Sequence, residues 1–223
     1  MSPAGEIRYI DFHSHQYGGG RDTLTIRNLM AGEDVPADFP QNTLFSAGIH
    51  PWQLTEENAQ QLRAELLLTA AHPHVVMIGE AGFDRIKGPR MELQRDVFLF
   101  QAATARAMKK PMVIHCVRGW DELRLVHREV KPDRPWVIHG FRGKATLAAT
   151  LAEEGFWFSL GAKGITTEIL EVISHNKILT ETDETSGSIA DVCRLFASEA
   201  GYDEVTAAAI IKSNFNSLFN YGV

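Results

Sequence analysis

Cysteine is nearly absent from this chain of 223 residues: Cys116 and Cys193 are the only two. They form neither a disulfide framework nor a zinc knuckle, so the fold must be held by an ordinary core. Cys116 follows His115 directly and reads as a buried thiol. No apolar run reaches the roughly 20 residues of a membrane-spanning helix. The first residues, Met1-Ser2-Pro3-Ala4-Gly5-Glu6, have neither the basic start nor the apolar core of a signal peptide. A cytoplasmic protein with no membrane partner is expected, and no protein partner is evident. Internal repeats, low-complexity tracts and Pro/Ser-rich linkers are missing, so residues 1–223 read as one domain. Positive charge is not in excess either. Lys and Arg number 22 against 28 Asp and Glu, a net charge of −6. Global electrostatics therefore does not drive binding to a polyanion.

What the chain does have is six short apolar runs ending on a residue able to bind a metal. They are Tyr9-Ile10-Asp11-Phe12-His13-Ser14-His15, Leu44 to His50, Val75 to Glu80, Pro111 to His115, Pro135 to His139, and Lys177 to Asp183. Runs rich in Val and Ile, bounded by Pro, Gly or polar residues, read as buried parallel strands. Between them lie helical stretches. Leu93, Val97, Phe100, Ala103 and Ala107 repeat at helical spacing, Thr55-Glu56-Glu57 signals a helix start for about 55–71, and Ala208, Ile211, Phe215 and Leu218 mark the last apolar face. Strands alternating with helices predict a TIM-type (β/α) barrel, whose catalytic groups sit on the C-terminal rim.

At 223 residues the chain falls short of the roughly 250 typical of eight complete βα units. The shortage is placed between His15 and the strand of Thr43–Ile49. About 28 residues there must supply a helix, the strand Thr23–Leu29 and a second helix, so at least one helix is expected to be replaced by loop.

Side chains alternate along an extended segment, so His13 and His15 fall on one side and suit a single cation. Glu80 can bridge two cations, as imidazole cannot. His115 and His139 offer nitrogens for a second ion. Asp183 ends the last strand, next to the first by barrel closure, where it can bind metal or take a proton from water. This set favours two divalent ions, Zn, Mn or Mg, over Ca. Such a pair activates a shared water for phosphoryl displacement, with Asp183 and Glu80 as the catalytic carboxylates. His50 reads as a hydrogen-bond donor to substrate, and Asp84 as support for a ligand. His72, His74 and His175 precede strands and read as structural, and His127 as a solvated helix residue.

The blocks Ile10-Asp11-Phe12-His13-Ser14-His15, Ala47-Gly48-Ile49-His50-Pro51-Trp52, Ile78-Gly79-Glu80-Ala81-Gly82-Phe83-Asp84, Ile114-His115, Ile138-His139-Gly140-Phe141 and Thr180-Glu181-Thr182-Asp183 resemble, in order, those of the TatD-related deoxyribonucleases. The resemblance spans about residues 9 to 220. It implies a two-metal barrel that hydrolyses DNA phosphodiesters, with His13, His15, Glu80, His115, His139 and Asp183 as ligands and His50 on phosphate. Three departures stand out. The first βα units are short. Cys-Val-Arg-Gly follows His115 where the family has Ser-Arg-x-Ala. Glu184-Thr185-Ser186-Gly187 replaces a longer Pro-containing loop after Asp183. The expected substrate is therefore DNA or a small phosphoester. Arg85, Lys87, Arg90, Arg118, Arg142, Lys144 and Lys163 fall in ligand-side loops; Arg85, Arg118, Arg142 and Lys163 are chosen as phosphate contacts. The competing readings are an amidohydrolase acting on a lactone or amide, and an inactive metal-bound scaffold.

Overall fold

Eight strands run parallel in one sheet, in chain order: β1 Tyr9–Ser14, β2 Thr23–Met30, β3 Thr43–Gly48, β4 Val75–Asp84, β5 Met112–Val117, β6 Trp136–Ile138, β7 Trp157–Leu160 and β8 Ile178–Thr180. The computed structural model describes residues 6–18, 20–185 and 187–219. The start Met1–Gly5, and Ser186 of the short segment after Asp183, lie outside the described residues. A parallel bridge between Ser14 and Asp183 links the segment after β8 back to β1. The fold is the expected TIM-type barrel, with helices α1 Ala59–Ala70, α2 Met91–Met108, α3 Trp120–Val130, α4 Ala145–Glu153, α5 Thr167–Leu170, α6 Ile189–Ala200 and α7 Glu204–Phe219. No helix among the described residues is long and apolar enough to cross a membrane.

The trimming goes further than the minimum expected: among the described residues, neither the β1–β2 nor the β2–β3 connection contains a helix. Parallel strands usually need a crossover of a dozen or more residues. Here residues 15–18 and 20–22 lie in loop. Asp22 O accepts from Arg8 N at 2.7 Å and Tyr9 N at 3.0 Å, and the Arg27 guanidinium covers the Tyr17 ring at 4.8 Å.

The chain divides into two compact units. Among the described residues, the first takes those up to Arg27, Phe39–Leu44 and His139 to Phe219. Its core holds Phe12, Phe141, Phe156, Phe158 and Phe196, all fully buried. Asn214 on α7 donates to His175 O and Ile178 O, each at 2.7 Å, tying that helix to the start of β8. The second takes Asn28–Asp38 and Phe45–Ile138. Phe83 and Phe98 pack there at 4.9 Å, and Phe98 meets Trp136 edge-on at 5.1 Å.

Several element boundaries differ from expectation; β5, for one, runs past His115 to Val117. The strand expected to end at Glu80 continues to Asp84. Its pairing with β5 shifts register between Ile78 and Ala81, then resumes with Gly82 opposite His115 and Asp84 opposite Val117. Gly79 sits at φ 135°, and a Cβ there would stand 2.3 Å from Val113 O. Only glycine fits, and the irregularity re-aims Glu80 without ending the strand. The last strand stops at Thr180, not near Asp183. Asp183 has φ 55° and donates its N–H to His13 O at 2.9 Å, so a turn and not a strand end presents its carboxylate. Finally, α1 begins at Ala59. Thr55 spends its side chain on Asn58 N at 3.3 Å, while Asn58 Oδ1 accepts from Thr55 N at 2.8 Å, an exchange that precedes the helix.

Candidate metal-binding clusters

In the first unit, the end of β1 and the residues after β6 and β8 assemble one cluster. Asp183 Oδ1 lies 3.9 Å from His13 Nε2 and 3.7 Å from His15 Nε2. Ligand atoms about 2.1 Å from a tetrahedral cation stand roughly 3.4 Å from one another. The observed gaps therefore suit donors around a common ion better than direct hydrogen bonds. His13, His15 and Asp183 form one group able to hold an ion; His139, Glu181 and Asp183 form another. The His139 ring is 4.3 Å from that of His13, and its Nδ1 is 3.6 Å from Glu181 Oε1. Glu181 Oε1 accepts from Gly140 N at 2.7 Å, while its buried Oε2 has no hydrogen-bond partner among the described residues. A buried carboxylate oxygen without a donor is costly, and a cation would satisfy it.

Asp11 underpins this cluster. It accepts from Thr182 N at 2.9 Å and Thr182 Oγ1 at 2.7 Å, fastening the turn that carries Asp183 to β1. Burial raises its pKa to about 7, against the lowering effect of those hydrogen bonds; Glu181 and Asp183 raise it further.

In the second unit, Glu80 Oε1 lies 2.8 Å from His115 Nδ1 and 3.2 Å from His50 Nε2. These three are a further group able to hold an ion. His50 Nδ1 accepts the Trp52 backbone N–H at 3.1 Å. A neutral ring has one proton, so His50 carries it on Nε2 and presents a donor there. Asp84 is buried behind His115, Oδ2 to Nε2 at 3.4 Å, and accepts from Trp52 Nε1 at 2.6 Å, Lys87 N at 2.9 Å and Ile86 N at 2.7 Å. Burial opposes ionisation of Asp84, but these donors outweigh it and hold the carboxyl at about 2. Asp84 is thus a fixed anion facing His115.

Buried amides set the second cluster. Asn28 Oδ1 accepts from Glu80 N and Ser46 Oγ, both at 2.9 Å. Gln101 brackets Ile49, just before His50, accepting its N–H at 2.8 Å and donating to its carbonyl at 3.1 Å. Gln94 does the same to Asp84, at 2.8 and 3.0 Å. Sequence reading missed these three, along with Asp11, Glu181 and Thr182. For Gln94 and Gln101 the available signal was an amide amid the apolar positions of α2. For Asp11 it was a charged residue inside an apolar strand, in step with His13 and His15.

The expected site residues therefore group as follows. His13, His15, His139 and Asp183 gather in the first unit, joined by Glu181. His50, Glu80, Asp84 and His115 gather in the second. Within each unit, His115 groups with His50 and Glu80, and His139 with Glu181 and Asp183. Arg85, Lys87, Arg118, Arg142, Lys144 and Lys163 are exposed. Arg90 is not available in the same way, being paired with Glu56 at 2.5 Å. Burial pushes Cys116 up to about 12, so it is no nucleophile at neutral pH. His175 lies 2.8 Å from Tyr202 Oη and 3.2 Å from Leu170 O, a structural placement.

The family model for TatD related DNase matches residues 23–220. The chain belongs to that family. Among curated TatD relatives, an uncharacterized metal-dependent hydrolase of Mycobacterium tuberculosis is 26% identical over 209 residues, 78% of each chain. A 3'-5' ssDNA/RNA exonuclease of a Rahnella species is 29% identical over 185 residues, covering 74% of this chain and 67% of its own. The crystal structure of a TatD homologue from Escherichia coli superposes with a TM-score of 0.77 at 20% identity, covering 96% and 98% of the two chains. At that identity it supports the TatD barrel fold alone.

Proposed function

We propose that this hydrolase cleaves phosphodiester bonds in single-stranded nucleic acid with two divalent cations, Mg, Mn or Zn. The observation that carries the reading is the pair of imidazole–carboxylate clusters, the first with gaps of 3.7 and 3.9 Å that suit an ion between its donor atoms. His13, His15 and Asp183 would hold one cation, with His139 and Glu181 beside them. Glu80 and His115 would hold the other. When bound, the cations lower the pKa of a water and offset charge on the phosphoryl oxygens.

The chain's own groups divide the remaining work. Asp183 accepts a proton from the attacking water, since its carboxylate faces two imidazoles across gaps wide enough for a third party. His50 donates Nε2–H to a non-bridging phosphate oxygen; its tautomer is set by the Trp52 N–H. Asp84 holds the ring orientation of His115. Arg85, Arg118, Arg142 and Lys163 take neighbouring phosphates as exposed loop cations. The 3'-5' ssDNA/RNA exonuclease activity belongs to the Rahnella relative by name. For this chain we infer a short grip of a few nucleotides, because only a brief segment follows Asp183 before α6.

The test is purified protein with Mg²⁺, Mn²⁺ or Zn²⁺ against end-labelled single-stranded DNA and bis-p-nitrophenyl phosphate. Cleavage of both, abolished by a chelator and inhibited by inorganic phosphate, is expected. Metal analysis should give about two ions per chain, as in two-metal sites. Hydrolysis of an uncharged lactone or amide with neither phosphodiester cleaved would overturn the assignment.

A further inference from the structure

Trp52 combines tight fixation with exposure. Its indole N–H donates to the buried Asp84 at 2.6 Å, and its ring meets His50 edge-on at 4.8 Å. The Lys87 ammonium sits 4.0 Å from its ring centroid. Yet half of the residue, 50%, remains exposed. Trp136 and Trp157, by contrast, are buried. Leaving a large aromatic surface in water forfeits burial energy, and fixing it in place costs side-chain freedom as well. Both expenses are concentrated beside the His50–Glu80–His115 cluster.

We propose that Trp52 is the stacking platform for one nucleobase of the substrate, with Lys87 taking an adjoining phosphate. Resting on the nucleic-acid reading above, this adds how a strand is held. Every base has a π face, so an indole grips single strands with little regard to sequence. A rigid indole also binds at small entropic cost. Lys87 is exposed on a flexible stem, so its ammonium can leave the ring for a phosphate while a base takes the vacated face. The Nε1 bond to Asp84 fixes the platform relative to His115, and so relative to the reacting end.

The rival role for Trp52 is support of Asp84 alone. Oligonucleotides with a single abasic residue, moved position by position from the cleaved end, separate the two. For the wild-type protein, KM should rise at least about fivefold when one particular base is missing, with kcat changing far less. Trp52→Leu should raise KM for the intact strand about tenfold, within the range for losing one stacked base. It should then be indifferent to the abasic site. Trp52→Phe keeps a ring but no N–H, and should retain most of the discrimination. An equal loss for Trp52→Leu on intact and abasic strands would overturn the proposal, leaving only support of Asp84. So would a Trp52→Phe protein as impaired as Trp52→Leu. Wild-type protein that cleaves neither oligonucleotides nor bis-p-nitrophenyl phosphate would remove the nuclease reading itself, and this one with it.

Discussion

Asp183 has a backbone that suits a simple test of its chemistry. Its φ of 55° is a conformation that Asn and Asp tolerate better than most residues, and its N–H is held by His13 O at 2.9 Å. Asp183→Asn therefore keeps the turn while removing the proton acceptor. The expected result is a near-native melting temperature and a fall in phosphodiester hydrolysis of at least about a hundredfold, the usual scale for a general base. An unchanged rate would assign the proton to another group. Asp11 makes a different prediction, about stability in metal-free protein. Its pKa is raised to about 7 in the fold, above its unfolded value near 4. The folded state then binds more protons than the unfolded state between those values. Stability from this group is full at low pH and is lost as pH rises through the window. Asp11→Asn removes that loss. The melting temperature of the variant relative to wild type should thus be higher at pH 8 than at pH 5, read by calorimetry after chelation. A pH-independent difference would mean that Asp11 does not titrate in this range.

At the scale of elements, strand β4 shows where sequence legibility ends. A Val/Ile run closed by Glu80 announces a strand and a candidate ligand, because burial on both faces demands apolar residues and a lone carboxylate stands out. Nothing in that pattern says that the strand resumes to Asp84. The resumption depends on Gly79 at φ 135° and on pairing with β5, a partner remote in sequence. His13, His15, His115 and His139 were legible for the same reason as Glu80. Glu181 was not, because neighbouring Asp183 answered the same pattern and only the path of the turn after β8 shows both near His139. That at least one helix is missing was legible by counting, since about 28 residues cannot hold two complete βα units; that both are missing was not. Gly79 also carries the element's prediction. An alanine there would be strained by its φ and would drive a Cβ to 2.3 Å from Val113 O. Backbone strain of this kind costs about 1–3 kcal/mol before the clash is counted. Gly79→Ala should lower the melting temperature by roughly 5 °C or more, on the usual scaling for a domain of this size. It should also displace Glu80 and weaken metal binding beyond what stability alone explains. A variant with native stability and native metal affinity would show that the irregularity in β4 is dispensable.

For the whole molecule, charge sets the terms of substrate capture. The net charge of −6 repels a nucleic acid at a distance. Attraction must be local, from exposed cations in loops: Arg85, Lys87 and Arg118 in one unit, Arg142, Lys144 and Lys163 in the other. Arg118, exposed at φ 53° just after β5, is three residues from His115 and well placed to test the idea. Cations that contact phosphate release counterions, and each contact adds roughly 0.7 to the slope of log affinity against log salt for single strands. Binding of a short single-stranded oligonucleotide, measured at fixed divalent metal concentration, should weaken steeply with added KCl. Arg118→Gln should flatten that slope by about 0.7 while leaving base preference unchanged, since a phosphate contact reads no sequence. A salt-independent affinity would leave the loop cations as ordinary solvated charges. It would shift the burden of binding onto the metals and the Trp52 platform.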